Sequence, residues 1–411
     1  MTSPQPIREP TSSPEPPESP EPSAAGPAGP PAPRTPAEPG EARSPAPRWT
    51  TELHRADDTL TRVAGEWDAL AARCRTATPF QAAAWQASWW RAYGHPGRLR
   101  VLLVRRDGEL VAAAAFAAGR TGSLTALGGR LIDFTDVLLD DSCAAQAAAE
   151  LARALPLRRP WQALELREVR PGSAAHQVYA HWDGRRHQLL DSVCQHLPAV
   201  PMDQLLGRLP GRTAQRSRAK QRKLLEAGVV ARRVPVDQVG AAMGDLLRLH
   251  ALQWESRTVT AEHVSERFAA HLCESTAGLA RLGQAVVYRY YLDDELMAVD
   301  LLLLCPSFAG LYLYGAHPGL RERIDIAGLL FGTSLEEAVR AGIPELSLMR
   351  GEEPYKERWR PERERNHRLL LGPAHLAGAL SLRLALVRAR AAAVPHLRGP
   401  VTRLRALLGR R

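Results

Sequence analysis

The chain has 411 residues, 45% of them apolar and 24% charged, with a formal net charge of +10. This balance excludes a collagen-like, coiled-coil or wholly disordered chain, and at about 150 residues per domain the length predicts two or three domains. No run of about 20 apolar residues lacks a charge, which argues against a membrane-spanning helix. Arg outnumbers Lys 51 to 3, a base-composition signature that makes each lysine worth noting. The five cysteines (Cys74, Cys143, Cys194, Cys273, Cys305) form no CxxC pair. Neither a disulfide framework nor a Cys-rich zinc site is therefore expected. With no basic-then-apolar leader at the start, a cytoplasmic location is the expectation.

Residues 1–48 hold 16 of the 33 prolines and no aromatic residue. Such a segment cannot bury enough apolar surface to offset its ordering entropy and is predicted to be a disordered tail. A Pro-rich ligand for a partner domain is the alternative. Helices are then predicted over Trp67–Cys74 and Ala82–Tyr93. Trp85, Trp89 and Trp90 recur at helical spacing and are expected in the core, with stacking on an acceptor as the alternative. Val101–Phe116 reads as a hairpin turned at Asp107-Gly108, a strong turn dipeptide. A third strand (Leu124–Gly128), an Ala-rich helix (Ala144–Leu155) and a strand (Ala163–Leu166) follow. Asp133 and Asp136 lie after the third strand, where acids would repel phosphate; they are expected to contact an acceptor or to pair with Arg130. Cys194-Gln195-His196 and His187 lack four-ligand spacing, so no metal is expected.

Arg208–Arg233 carries nine Lys or Arg residues against one acid, Glu226. That suffices to meet several phosphates, but few aromatics interleave it, which disfavours single-strand stacking. Helices over Ala241–Thr258 and Ser265–Thr276 precede a second hairpin, Val286–Leu301, offset from the first by 186 residues when the turns are aligned. Leu311–Gly315, a helix over Ala327–Ala341 and a strand over Glu345–Leu348 repeat the earlier order. The pattern predicts a tandem duplication of one α/β unit, each a mixed sheet with helices on both faces. The predicted division is a tail (1–48), an N-terminal unit (49–200), a basic connecting helix (201–235), a C-terminal unit (236–372) and a basic helical tail (373–411). From Ala374 onward there are eight arginines and no acid. Leu380, Leu384 and Leu386 oppose Arg383, Arg388 and Arg390. That tail is expected to pack on the body or to meet an anionic membrane surface or acidic partner.

The chain lacks a GxSxG elbow, a Walker lysine loop, a GxGxxG turn and HExxH. Its most informative stretch is Tyr312–Trp359. A strand there enters a Gly/Pro-containing loop, Gly315–Asp325, and then a helix near Ile326–Gly328. A helix start of this kind aims free backbone N–H groups and the dipole at phosphate oxygens; a plain strand-to-helix connection is the alternative. The next strand ends in RGEEPYKERW, where ligands gather beyond strand ends. Tyr355 offers a hydroxyl there, and Lys356 is one of the three lysines; a surface ion-pair cluster is the competing interpretation. Asp300 lies inside the apolar run Val299–Leu304, where a carboxylate needs a partner or a role.

GEEPYKERW after a strand, the helix LLFGTSLEEAVRAG, the opening PFQAAAWQASWWRAYG, the segment LGGRLIDFTDVLLDD and the basic RSRAKQRKLLEAG together resemble the CelD/BcsL-type (cellulose biosynthesis protein CelD) acyltransferases. These belong to the GNAT superfamily and are related to FemAB peptidyltransferases. The resemblance spans roughly residues 50–372. It implies two GNAT-like folds in tandem with acyl-CoA as co-substrate of the C-terminal one, its phosphates at Arg323, Ile324, Asp325, Ile326, Ala327 and Gly328. Of the superfamily's [QR]-x-x-G-x-[GA] pattern, Arg323 and Gly328 fit, while Ile326 stands where the first glycine belongs. Acetyl-CoA, another acyl donor and an aminoacyl donor therefore stay open. The expected chemistry is attack of an amine or hydroxyl on a thioester. Tyr355 would deliver a proton or position the donor, Lys356 would neutralise a phosphate or carboxylate, and Asp300 would serve as base. The acceptor is expected to be a small molecule or glycan, in cell-surface polysaccharide or secondary-metabolite synthesis. An aminoacyl-tRNA-dependent transferase and a non-catalytic scaffold or nucleic-acid-binding protein are the alternatives; nucleic acid is the less favoured partner.

Overall fold

The computed structural model describes residues 46–374, apart from 160 and 255–260, together with 381, 384, 385, 388 and 389. The expectations for the N-terminal tail up to residue 45 and for most of the basic C-terminal tail lie outside the described residues. Of that tail, Leu384 packs with Ala163 and Leu370.

The first half comprises β1 (Trp49–His54), α1 (Thr59–Arg62), α2 (Ala64–Ala71), α3 (Ala83–Tyr93), β2 (Leu99–Arg106), β3 (Glu109–Ala118), β4 (Leu124–Ala126), β5 (Leu138–Leu139), α4 (Ala144–Ala154), β6 (Leu164–Val169), α5 (Ala174–His181) and β7 (Arg185–Pro198). Two helices link the halves, α6 (Met202–Gly207) and the basic α7 (Gly211–Glu226). The second half comprises β8 (Val230–Arg233), α8 (Val239–Trp254), α9 (Glu266–Arg281), β9 (Ala285–Leu292), β10 (Glu295–Cys305), β11 (Phe308–Ala316), α10 (Pro318–Arg323), α11 (Ile326–Arg340), β12 (Glu345–Arg350), α12 (Pro354–Glu357) and β13 (Glu362–Gly372). The mixed α/β class and the duplicated element order are thus as the sequence predicts. Both hairpins turn through two residues at positive φ, Asp107-Gly108 (52° and 89°) and Asp293-Asp294 (54° and 62°). That is the primed turn whose twist suits paired strands. A subtler mark of duplication is the fifth residue of β6 and of β12. Glu168 (φ 55°) and Met349 (φ 59°) both adopt the left-handed region there.

All strands join one 13-stranded sheet, in the order β1-β2-β3-β4-β6-β13-β7-β12-β11-β10-β9-β8, with β5 attached to β3. The two halves exchange their last strands. β7 runs antiparallel to β12 of the second half, and β13 runs antiparallel to β6 of the first. The exchanged strands pair with each other at the centre. Helices cover both faces: α4 and α5 pack on one side of the first half, and α2 and α3 on the other. In the second half α11 and α7 cover one side, α8 and α9 the other. The halves also meet through helices, where Ser88 on α3 donates to the His271 carbonyl on α9 at 3.1 Å. β7 and β13 are missing from the sequence-based elements. β13 begins Glu-Arg-Glu-Arg, an alternation without an apolar face, and its charges are met by neighbours, as in Arg363–Glu357 at 2.8 Å. Its buried part is Asn366 and residues 369–372.

Candidate active site

The site grows from the parallel pair β11 and β12. They are in register only at Ala309↔Leu346 and Gly310↔Ser347, and then separate. The divergence has a local cause. On the other side of β11 the register slips between Leu301↔Leu313 and Leu302↔Leu311, so Tyr312 is an extra, bulged residue. A bulge bends and twists its strand, here away from β12. Gly315 lets β11 lie against α8, since a Cβ there would meet the Leu246 carbonyl at 2.2 Å and the His250 N–H at 2.5 Å. Side chains of α8 satisfy part of the exposed strand edge. His250 Nδ1 lies 2.9 Å from the Tyr314 carbonyl, and Gln253 accepts the Ala316 N–H at 3.2 Å.

The loop after β11 is partly helical, a departure from the expected open connection. His317 caps α10 by accepting the Gly319 N–H at 3.2 Å, and Pro318 starts it. α11 then begins at Ile326 with no side-chain cap hydrogen bond to its first-turn N–H groups. The six residues expected to hold phosphates divide. Arg323 turns to Asp293 at 3.0 Å on the hairpin. Ile324 and Ile326 are buried in the core, and Ala327 packs at the α11–sheet interface. Gly328 accepts from the Gln221 side-chain amide of α7 through its carbonyl at 3.3 Å. Asp325 lies at the helix mouth with its carboxylate held by Arg358 at 2.5 Å. What remains for an anion is backbone, together with the guanidinium of Arg358.

Tyr355 is the second residue of α12 and keeps 38% of its surface exposed. Burial of its phenol, with Tyr314 and Glu353 nearby, holds it well above its ordinary value. Tyr314 beyond the bulge and Tyr355 beyond β12 thus stand close together at the divergence. Lys356 is used differently from the expectation. Its buried ammonium donates to the Arg350 carbonyl at 2.9 Å and pairs with Glu353 at 2.8 Å, which locks the turn after β12. Asp300 is fully enclosed on the α11 side of the sheet and, among the described residues, has no arginine partner. It accepts from the Tyr290 hydroxyl at 3.0 Å and the Tyr288 N–H at 3.3 Å. Tyr290 in turn lies 2.6 Å from Thr333 on α11. Burial pushes the Asp300 carboxyl up to about 7 against these hydrogen bonds. The structure therefore brings Tyr355 to the divergence and keeps Asp300 and Lys356 inside the protein.

The acids of the first half take other partners than Arg130. Asp133 pairs with Arg350, the last residue of β12, which also reaches Glu168 at 3.2 Å. Asp136 accepts the Ala174 and Ala175 N–H groups at 3.2 and 2.7 Å, at the start of α5. Trp85 and Trp90 are buried, while Trp89 is only partly covered. Sequence reasoning missed Arg350, Arg358, Gln221 and Tyr314. The arginines flank the PYKE segment, but a chain with 51 arginines hides them. Among the described residues no group of three or more His, Cys, Asp or Glu could hold a metal ion. No described helix is long and apolar enough to cross a membrane.

A mixed sheet whose parallel strands part beside an uncapped helix start defines a class, and comparison with known proteins agrees. Residues 211–357, from the start of α7 to the end of α12, match the family model described as acetyltransferase (GNAT) domain. This stretch of the second half is thus similar to a GNAT-type domain. The whole fold is similar to FemX, with a TM-score of 0.54 and 11% identity over 77% of this chain and 96% of that one. It is similar to a conserved protein of unknown function from Bacteroides thetaiotaomicron VPI-5482, with 0.52 and 10% over 78% and 100%. L-PGS from Bacillus licheniformis gives 0.50 and 10% over 78% and 95%. At these identities the likeness concerns the fold alone. No curated protein matches the sequence.

Proposed function

We propose that the protein transfers an acyl group from an acyl-CoA thioester to an amine or hydroxyl acceptor at the β11–β12 divergence. The observation that carries this reading is the early separation of β11 from β12 beside the uncapped start of α11. The opened strand edge offers main-chain hydrogen bonds to an extended thioester arm, and the helix start offers N–H groups to its phosphates. The acceptor's nitrogen or oxygen attacks the thioester carbon, the C–S bond breaks, the acceptor gives up its proton and the thiolate takes one. Tyr355, held protonated by burial, is the donor to the leaving sulfur. The likeness to CelD/BcsL acyltransferases supports a glycan or small-molecule acceptor.

Arg358 and Asp325 make the donor site testable by opposite signs. Arg358→Ala removes a phosphate partner and leaves a bare carboxylate at the helix mouth. Affinity for acetyl-CoA by calorimetry is expected to fall by ~10–100-fold, the worth of a charge-assisted hydrogen bond. Asp325→Asn removes the repulsion, and affinity is expected to rise. Weaker binding by Asp325→Asn, or no binding of any acyl-CoA to the unaltered protein at millimolar concentration, would refute the assignment.

A further inference from the structure

A second cleft lies on the first-half side of the same strands. It has a volume of about 690 Å³ and is bordered by Trp89, Tyr93, Gly128, Gly129, Arg130 and Arg350, a size that suits a small-molecule ligand. Its floor is tied to both diverging strands. The bulged Tyr312 of β11 donates to the Leu131 carbonyl at 2.8 Å, and Arg350 of β12 donates to the Arg130 carbonyl at 3.0 Å. A molecule seated there lies beside the point where the strands part. One wall is aromatic: Trp89 and Tyr93 stack at 5.5 Å with a 22° interplanar angle, and Trp89 is partly open. Beside it, Gly128 and Gly129 run at φ 96° and 56°, and Gly129 presents no side chain to the Trp89 ring. Gly128 has no room for one, because a Cβ would meet Ile132 at 2.5 Å.

The charged groups of this cleft have partners except at one place. Arg350 sits between Asp133 and Glu168, and Arg267 pairs with Glu262 at 2.8 Å. Asp133, the acid nearest to Arg130 in sequence, is engaged by Arg350. Arg130 is exposed, and no carboxylate lies within ion-pair distance of it among the described residues.

We infer that this cleft is the acceptor seat, and that it takes a ring-bearing anion: a sugar or aromatic ring on Trp89, with a carboxylate or phosphate on Arg130. The inference rests on the acyltransferase reading for its role. The binding itself is read without any donor. Tryptophan fluorescence and calorimetry on the full chain, with no acyl-CoA present, would use glucose 6-phosphate as the sugar probe and 4-aminobenzoate as the aromatic one. Uncharged glucose and aniline serve as comparators. At least one anionic probe is expected to bind, and the arm that does so identifies the ring class. Arg130→Gln is expected to weaken that probe about tenfold while leaving its neutral comparator unchanged, and Trp89→Leu to weaken both about tenfold. Because Trp89 also packs on the core, thermal stabilisation by acetyl-CoA is measured on both variants to show an intact donor site. Failure of both anions to bind at millimolar concentration, or equal loss of anionic and neutral probes in Arg130→Gln, overturns the inference. If acetyl-CoA binds normally in that case, the transferase reading survives it.

Discussion

Asp300→Asn separates a structural carboxyl from one that exchanges a proton. In the folded protein the Asp300 carboxyl is pushed up to about 7 from 3.8, chiefly by burial. The folded state therefore holds a proton that the unfolded state releases between those values, and stability declines as pH rises from about 4 through 7. At about 1.4 kcal/mol per unit, a shift of about three units amounts to at most ~4 kcal/mol lost by pH 8. Asparagine keeps an acceptor for the Tyr290 hydroxyl and cannot ionise. The variant is therefore expected to match the parent at pH 4 and to exceed it at pH 8 by ~2–4 kcal/mol. Urea denaturation of both proteins from pH 4 to 8.5 reads this directly. Parallel stability curves would refute the reasoning, since they would mean that the buried carboxyl titrates alike in both states. Acyl transfer by the same variant then tests the expected base: a stable variant that turns over normally leaves Asp300 a role in holding β9, β10 and α11 together.

Replacement of Arg350 by Met leaves Asp133 buried without its cation and Glu168 with only the longer Arg167 contact at 3.7 Å, and calorimetry is expected to show a loss of ~3–5 kcal/mol; a melting temperature within 2 °C of the parent would contradict this. Five histidines behave oppositely to Asp300. His176, His196, His250, His263 and His271 all have lowered values, with burial the main cause. The unfolded chain binds their protons first, so stability is fully present above about pH 6.5 and falls as pH drops toward 4, with a steepening slope of unfolding free energy against pH as the readout. His176→Gln removes one such proton and the contact with His367 at 2.9 Å, and its curve is expected to be flatter. Gly315→Ala is expected to cost ~1–3 kcal/mol by pushing β11 off α8, which thermal unfolding would detect.

The repeat, both hairpins and the helices that flank them were legible in the sequence because each is a local pattern. Two positive-φ turn residues specify a hairpin, and an apolar period specifies a helix face whatever lies beyond it. The elements that frame the proposed site were legible too, as a strand, a helix start and the PYKE segment. The partners of its residues were not. Lys356 attracts notice as a rare residue, yet its ammonium is consumed by the Arg350 carbonyl and Glu353. Asp300 called for a partner or a role, and the partner it met is a tyrosine. The exchange of β7 and β13 brings Asn366 to the Asp133 carbonyl, 233 residues away, and no local pattern encodes such a distance. Composition and periodicity determined which segments form strands and helices, because those choices depend on neighbours along the chain. Which charges meet, and where β11 leaves β12, was decided by burial. Once two halves share one sheet, each enclosed polar group must find its partner across the fold.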